Sequence, residues 1–226
     1  MKSASFQYKQ HTLNLGELAL LGRPHDLAKQ YGLTLPSDIE QATDKRAFDY
    51  LGGRLCASLS LKALGCADVG QLLSADNRIV NWPKGYIASI SHSGQRVTAV
   101  AASDLDIQGI GVDLERVMSN EKAVRLSARL LTIEEITKGV AAAGEIGLQT
   151  TLIFSAKESI FKCLYPLVHQ FFGFKDATCI DINYESAKMT FKLNKHLSDR
   201  FRLETRLSVA FKLDQDFVET LCLVHR

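Results

Sequence analysis

The 226-residue sequence has few of the residues that divide a fold or cross-link it. Its four prolines force few breaks, and no Pro-, Gly- or Ser-rich linker separates one part of the chain from another. Its five cysteines are widely spaced, without a C-x-x-C pair or zinc-ligand spacing, which predicts reduced thiols packed as small apolar groups. The sequence has neither a signal peptide nor an apolar run of about eighteen residues, so we expect a soluble, cytoplasmic protein without a membrane span.

A large net charge is also missing. Lys and Arg together number 27, and Asp and Glu number 25, so the formal net charge is only +2. With 46% hydrophobic and 23% charged residues, the composition argues against a disordered chain, a collagen-like repeat and a coiled coil. This balance gives no sign of nucleic-acid binding, so any anion site must be built locally.

The first half of the sequence predicts an irregular opening, then a helix, then short strands. Apolar residues recur every three or four positions, which predicts a helix that ends near Gly65. These residues are Phe48, Leu51, Leu55 and Leu59. The helix carries Arg46 and Arg54, which lie about 80° apart in projection and can approach one anion together. Strand-like runs follow at 86–91, 96–101 and 107–115.

The second half repeats this order of elements. Thr132 and Glu135 have the spacing of a capping box at the start of a short helix. A longer helix is predicted from Thr150 to Tyr165, stopped by Pro166. Strand-like runs then follow at 187–193, 202–213 and 218–224.

These two successions predict an α+β fold of two similar α/β halves, each with an antiparallel sheet and a long helix. The boundary is expected near residue 105, which gives halves of residues 1–105 and 106–226. The prediction depends on element order only, because the sequence shows no residue-level repeat.

The segment 107–115 carries two acidic residues on one face of a predicted strand. Because side chains alternate between faces, Asp113 and Glu115 lie about 7 Å apart on the side of Gly109 and Gly111. Two carboxylates beside residues without bulk fit a hard divalent cation that must also admit a phosphate. The competing interpretation is the solvent-facing side of an edge strand, where alternating acidic residues are common.

The segment 154–162 places a carboxylate and an ammonium group on one face of the longer helix. Helical periodicity groups Glu158 and Lys162 with Phe154, apart from an apolar core stripe. That stripe consists of Leu152, Ala156, Ile160 and Cys163. The competing interpretation is an ordinary i,i+4 ion pair on a solvated helix, worth about a few tenths of a kcal/mol.

Two further segments offer groups for a phosphate or a base. Ser91 and His92 end a predicted strand before a tight turn, where an imidazole can donate to a phosphate. The run from Trp82 to Gly85 offers a flat ring, the ammonium group of Lys84 and exposed backbone. The competing interpretations are an ordinary surface histidine and a turn with a core tryptophan.

In their order along the chain, these motifs resemble the surfactin-type 4′-phosphopantetheinyl transferases, and most of all the branch that contains the enterobactin synthase component D. The resemblance extends from about residue 46 to about residue 173. Its signature is G-x-D-x-E at 111–115, followed by W/F-x-x-K-E-x-x-x-K at 154–162. Phe154 stands where many members have Trp, so an indole N–H donor is missing, and Ser159 stands where Ala is common.

The resemblance implies an enzyme that moves the 4′-phosphopantetheine arm of coenzyme A to a serine of an apo carrier protein and releases 3′,5′-ADP. It implies a pseudo-twofold fold, Mg²⁺ as cofactor and an activity of the holo-[acyl-carrier-protein] synthase type. The implied partners are acyl or peptidyl carrier proteins of fatty-acid, polyketide, nonribosomal peptide or siderophore synthesis. We expect no nucleic-acid partner and a monomeric enzyme.

The resemblance also implies roles for single residues. Asp113, Glu115 and Glu158 would bind Mg²⁺, and Glu158 would take the serine proton, with Glu115 as second candidate. Lys162 would stabilise negative charge on the diphosphate, and Lys157 would assist it or pair with an acidic neighbour. The residues implied to contact coenzyme A are Arg46, Arg54, Lys84, Ser91, His92, Lys157 and Lys162.

The two halves would divide this work. Residues 1–105 would hold the nucleotide of coenzyme A, and residues 106–226 would carry the metal and catalytic groups. The resemblance therefore predicts an active site in the cleft between the halves.

Two other functions stay open on the residues alone. A Mg²⁺-dependent nucleotide pyrophosphohydrolase would use the same carboxylates and cations for attack by water, and would break diphosphates without a protein acceptor. An inactive module that binds a carrier protein or a nucleotide is the second. The presence of both Asp113 and Glu158 argues against it.

Overall fold

The structure is a computed structural model that describes residues 8–73, 79–137, 145–214 and 216–226. Its helices are α1 (Leu15–Leu20), α2 (Pro24–Gln30), α3 (Ser37–Glu40), α4 (Asp44–Ala63), α5 (Asn120–Leu130), α6 (Ile133–Thr137) and α7 (Ile146–Val168). Its strands are β1 (Tyr8–Asn14), β2 (Tyr86–Ser93), β3 (Arg96–Ser103), β4 (Ile107–Arg116), β5 (Ala177–Asn183), β6 (Lys188–Leu193), β7 (Arg206–Asp214) and β8 (Phe217–His225). The α+β class expected from element order is confirmed.

The chain forms two compact units. The first ends at Ile110 and also takes in His225–Arg226, whereas the second is Gly111–Val224. Each unit has its own cluster of buried apolar side chains. The division falls within β4, so this strand contributes residues to both units.

The first unit contains a three-stranded antiparallel sheet in the order β1-β3-β2, with α4 packed against it. β1 corrects the expected irregular opening, since Tyr8 pairs with Ala102 and Asn14 with Arg96. Its sequence alternates weakly between apolar and polar residues, and it becomes a strand because β3, far away in sequence, supplies the backbone partners.

Helix α4 ends near Gly65 as expected, and its buried face extends beyond the expected apolar stripe. Leu51 of that stripe is fully buried, and small residues of α4 also contact the sheet. The Ser60 hydroxyl donates to the carbonyl of Ala99 at 3.1 Å, while Leu55 and Leu59 are only half-buried. A Cβ atom on Gly53 would lie 2.8 Å from Cγ2 of Ile90, so the glycine permits this close approach.

The second unit contains a five-stranded sheet in the order β4-β8-β7-β6-β5. β5 was not expected from the sequence, because a register shift between Cys179 and Asp181 interrupts its alternation. β7 begins at Arg206 rather than at residue 202, since Arg202 and Thr205 belong to a turn closed by a 3.0 Å backbone hydrogen bond.

Helix α7 provides the buried centre of this unit and is longer than expected. It starts at Ile146, and Pro166 lies inside its last turn instead of stopping it. A proline there removes a single hydrogen bond near the helix end, so the helix continues to Val168. His169, with φ of 49°, then ends it in the left-handed conformation.

The cysteines behave as small core residues, as expected. All five are free and buried. Burial raises the pKa of Cys56 to about 12, so its thiol stays protonated at neutral pH.

Among the described helices, none has both the length and the apolar character required to cross a membrane.

Candidate active site

Gly111 allows α7 to lie directly against β4. A Cβ atom on Gly111 would overlap the carbonyl oxygen of Ser159 and lie 2.6 Å from the amide nitrogen of Cys163. Glycine is therefore the residue that this contact requires. The contact brings Glu158 and Lys162, which are one helical turn apart, close to the acidic end of β4.

Asp113 is buried at this contact although β4 is an edge strand. Its side chain is 4% exposed, and Oδ1 accepts a 2.7 Å hydrogen bond from Nζ of Lys162. The same ammonium group donates to the carbonyl oxygen of Val112 at 3.1 Å. The solvent-facing interpretation of Asp113 is therefore wrong.

Glu115 and Glu158 share the electrostatic surroundings of Asp113. Burial, and next to it repulsion from Asp113, raises the pKa of Glu115 to about 7. The same two causes, in the same order, raise the pKa of Glu158. Lys162 acts in the opposite direction on both carboxyl groups, and Lys122 of α5 does so on Glu115. We call these three electrostatically coupled carboxylates, Asp113, Glu115 and Glu158, the acidic cluster; Lys162 and Lys122 are the cations that act on it.

The donor chemistry of this cluster fits Mg²⁺. Carboxylate oxygens are ligands that Mg²⁺ prefers, and a divalent cation would relieve the repulsion that raises the pKa of Glu115 and Glu158. Within the described ranges, however, no three His, Cys, Asp or Glu side chains are already grouped as a metal site. The positive charge next to Asp113 comes instead from Lys162.

Lys157 is placed differently from its expected contact with coenzyme A. Its side chain is 2% exposed, and Nζ donates to Oε2 of Glu135 at 2.7 Å and to the carbonyl oxygen of Leu130 at 3.0 Å. Burial lowers the pKa of Lys157, and Glu135 offsets that effect. An ammonium group engaged in this way inside the protein does not meet a solvent-borne substrate. Of the two roles expected for Lys157, the structure shows the pairing with an acidic neighbour and not the contact with coenzyme A.

In the first unit, Arg54 is a buried cation held on two sides. Nε donates to the carbonyl oxygen of Leu72 at 2.7 Å, and the guanidinium carbon lies 4.4 Å from the ring centroid of Tyr50. Burial lowers the pKa of Arg54, Tyr50 raises it, and repulsion from Arg46 lowers it. Two arginines close enough to repel each other form an arrangement that a phosphate would stabilise.

His92 lies next to a buried carboxylate of α4. Its Nδ1 is 3.8 Å from Oδ1 of Asp49, and the side chain of Asp49 is 6% exposed. Oδ2 of Asp49 accepts from Lys45 at 2.8 Å, whereas Oδ1 receives no hydrogen bond from the described residues. The side chain of His92 is 40% exposed, so a ligand can reach it while its Nδ1 lies near Asp49.

The remaining expected contacts are distributed around this unit. Lys84 and Arg46 are exposed, whereas Ser91 is buried within β2. Trp82 packs against the apolar cluster of the unit, as in the core interpretation. Trp82 and Lys84 also line a cavity of about 440 Å³, whose wall includes Leu72, the residue that Arg54 holds.

Sequence patterns missed three residues of these clusters. Glu135 was identified as a capping residue, and the cap is confirmed by its 2.7 Å hydrogen bond from the amide of Thr132. It was not identified as the acidic neighbour with which Lys157 pairs. No sequence pattern pointed to Lys122 as a residue of the site. Asp49 gave a weak signal, because it is an acidic residue one helical turn after Arg46.

Two family models match consecutive parts of the chain. Residues 36–102 match the 4′-phosphopantetheinyl transferase N-terminal domain, and residues 109–222 match the 4′-phosphopantetheinyl transferase superfamily. A solved structure, the holo-[acyl-carrier-protein] synthase of Thermotoga maritima, shows 21% identity and a TM-score of 0.40 over 52% of this chain and 62% of that chain.

Curated relatives agree with the family models. Enterobactin synthase component D of Salmonella typhimurium is 32% identical over 78% of this chain and 67% of its own length. The component D of Escherichia coli K12 is 32% identical over 70% of this chain and 73% of its own length. The 4′-phosphopantetheinyl transferase Npt of Nocardia iowensis is 30% identical over 62% of this chain and 61% of its own length. From these matches, the chain belongs to the 4′-phosphopantetheinyl transferase superfamily.

Proposed function

We propose that the protein transfers the 4′-phosphopantetheine arm of coenzyme A to a serine hydroxyl of an apo carrier protein, in a Mg²⁺-dependent reaction that releases 3′,5′-ADP. The observation that carries the proposal is the cluster of Asp113, Glu115 and Glu158 with Lys162, built on the signature motifs of the family. The serine oxygen forms a bond to the β-phosphorus, and the bond from this phosphorus to the bridging oxygen breaks.

The second unit would supply the groups around the diphosphate. Asp113, Glu115 and Glu158 would hold Mg²⁺, which when bound neutralises the diphosphate and makes its phosphorus more susceptible to attack. Lys162 can bind a second partner in addition to Asp113, because its side chain is 28% exposed and carries its charge on a flexible stem. We assign it to the negative charge that develops on the leaving group.

A carboxylate of the same cluster would take the serine proton. We assign this role to Glu158 and keep Glu115 as second candidate. Both have raised pKa values, and that of Glu115 is about 7 without a metal ion. A pKa near the working pH suits a general base.

The first unit would bind the nucleotide end of coenzyme A. Arg54, His92 and the exposed Arg46 would contact the 3′-phosphate, for which forked guanidinium donors are well matched. Lys84 and Ser91 complete the proposed contacts, and the cavity beside Trp82 offers a surface for the adenine ring.

We propose carrier domains of acyl or peptidyl type as the acceptors, and a monomer as the active form. The names of several relatives contain enterobactin synthase, which favours carriers of siderophore peptide synthesis for this chain as well. A holo-[acyl-carrier-protein] synthase activity toward fatty-acid carriers is part of the same proposal and is tested with the same panel.

The decisive experiment is intact-mass analysis of apo carrier domains from fatty-acid, polyketide and peptide synthesis after incubation with coenzyme A and Mg²⁺. We expect at least one carrier to gain the mass of one phosphopantetheinyl group, with release of 3′,5′-ADP. No mass change in any carrier would overturn the proposal. Cleavage of the nucleotide diphosphate without a carrier would favour the pyrophosphohydrolase instead.

A matched pair of variants connects this activity to the cluster. Asp113→Asn keeps the size of the side chain but removes a proposed ligand charge, so we expect transfer to fall by about 100-fold or more. Asp199→Asn makes the same change at a side chain that is 98% exposed, and should leave the rate unchanged. Equal rates for both variants would contradict the assignment of Asp113.

A further inference from the structure

Glu135 connects three parts of the second unit although it lies on the short helix α6. The residue is fully buried. Oε2 accepts from the amide of Thr132 at 2.7 Å and from Nζ of Lys157 at 2.7 Å, and Oε1 accepts from the amide of Cys179 at 2.6 Å. One carboxylate therefore joins the start of α6, strand β5 and helix α7.

Lys157 extends this connection to a fourth element. Its Nζ also donates to the carbonyl oxygen of Leu130, the last residue of α5, at 3.0 Å. Buried charges that satisfy several partners at short distance have well-defined positions, because any displacement leaves a buried polar group without its hydrogen bond. The point on α7 that carries Lys157 is thus fixed relative to α5, α6 and β5.

That point is next to Glu158 in the sequence. Successive residues of an α-helix are separated by about 100° around the axis and 1.5 Å along it. A fixed Lys157 therefore determines how far Glu158 is turned toward Asp113. Gly111 sets how closely α7 approaches β4 at Ser159 and Cys163, and the bonds of Lys157 add a constraint on the same helix from α5 and α6.

Stability alone is a weak explanation for this pair. Burial of two charges costs several kcal/mol, and apolar replacements of buried ion pairs are often neutral or stabilising. What apolar side chains cannot reproduce is a set of hydrogen bonds with fixed directions. Besides the hydrogen bond between them, Glu135 and Lys157 make three directional hydrogen bonds, to Thr132 at the start of α6, to Leu130 of α5 and to Cys179 of β5.

We propose that Glu135 is a positioning residue, which acts through Lys157 to orient α7 so that the Glu158 carboxylate faces Asp113. The inference rests on the proposed function for its catalytic readout. It assigns Lys157 a structural contact in place of a contact with coenzyme A. It also explains why an acidic residue outside the signature motifs is buried in this unit.

The test uses the double variant Glu135→Gln/Lys157→Met, which removes both charges with little change in volume. Direct binding of Mn²⁺, used as a probe for the Mg²⁺ site, is measured by calorimetry, and carrier transfer is measured in parallel. Loss of a group that orients a ligand typically costs 10–100-fold in metal affinity or activity. We expect about a 10-fold or larger loss of Mn²⁺ affinity and a similar fall in kcat, with the KM for coenzyme A unchanged.

Lys192→Met is the matched control. Lys192 pairs with Glu134, the neighbour of Glu135 on α6, at 3.1 Å, but this pair lies closer to the surface and does not involve α7. We expect this variant to keep normal Mn²⁺ affinity and kcat. An equal loss in the control would show that any disturbance of α6 is sufficient, and would overturn the proposal.

The outcomes separate the inference from the proposed function. A double variant that unfolds at the normal temperature and binds Mn²⁺ normally overturns the inference. A higher KM for coenzyme A with normal Mn²⁺ affinity overturns it in favour of a substrate contact by Lys157. If the unmodified protein transfers nothing to any carrier, the transferase proposal fails. Weaker Mn²⁺ binding by the double variant would still support the positioning role. If the double variant does not fold, Glu135→Gln replaces it, because this change removes the charge that holds Lys157, and the same outcomes apply to it.

Discussion

At the scale of single residues, Arg54 has a structural role in addition to its proposed contact with a phosphate. Its Nε–H holds the carbonyl oxygen of Leu72, and its guanidinium plane lies against Tyr50. Leu72 has a φ of 48°, so the backbone that Arg54 holds is in a conformation unfavourable for leucine. Replacement of Arg54 therefore affects both the charge offered to a phosphate and the cavity wall beside Trp82.

A comparison of two ligands separates these roles. For Arg54→Ala, we expect the affinity for coenzyme A to fall by about 10-fold or more, as for the loss of a charged hydrogen bond, and that for 3′-dephospho-coenzyme A to fall much less. Calorimetric titration of both ligands is the measurement. Equal losses would mean that Arg54 supports the cavity only. Arg23→Ala, at a side chain that is 88% exposed, is the control.

At the scale of elements, each long helix approaches its sheet through residues with little or no side chain. In the first unit, Gly53 of α4 lies against Ile90. In the second unit the relation is reversed, because the glycine is on strand β4 and the backbone of α7 fills the space above Gly111. Contacts of this kind have no flexible side chain that can move aside, so they tolerate substitution poorly.

Gly111→Ala tests the contact between α7 and β4. The added methyl group would overlap the backbone of Ser159, so we expect the free energy of unfolding to fall by about 2 kcal/mol or more in denaturant titration. Gly173→Ala is the control, because no described atom lies within 4 Å of its Cβ position and its φ is −110°. Equal stability of both variants would show that α7 does not depend on Gly111.

At the scale of the whole molecule, we expect the acidic cluster to make stability depend on pH and, if it binds Mg²⁺ as proposed, on divalent cations. The raised pKa values of Glu115 and Glu158 mean that the folded protein keeps protons that the unfolded chain has already lost. Where the folded state binds more protons, stability falls as pH rises. For Glu115 this range runs from its ordinary pKa of 4.5 to about 7.

We therefore expect the metal-free protein in EDTA to lose thermal stability between about pH 5 and pH 7.5. The Glu115→Gln variant should show a shallower loss, because its side chain does not ionise. Unfolding temperatures measured across this range for both proteins give the comparison, and Mg²⁺ should reduce the difference between them. Parallel curves for the two proteins in EDTA would contradict the raised pKa of Glu115.

The sequence by itself determined the α+β class, both long helices, most strands and the two motif segments that carry the acidic and basic residues. These features depend on local periodicity and spacing, which are visible in one stretch of chain. Local patterns failed at β1, which depends on a distant partner strand, at β5, which contains a register shift, and at Pro166, whose effect depends on its distance from the helix end.

Only the tertiary structure decided what each charged side chain faces. It buried Asp113 on an edge strand against Lys162, and it turned Lys157 toward Glu135, whereas the neighbouring Glu158 lies with Asp113. The sequence cannot distinguish these two neighbours, because a step of about 100° around a helix has no meaning until another element packs against one side. Which charges pair is therefore decided by how the elements pack. The chemistry that the site can perform depends on that packing as well.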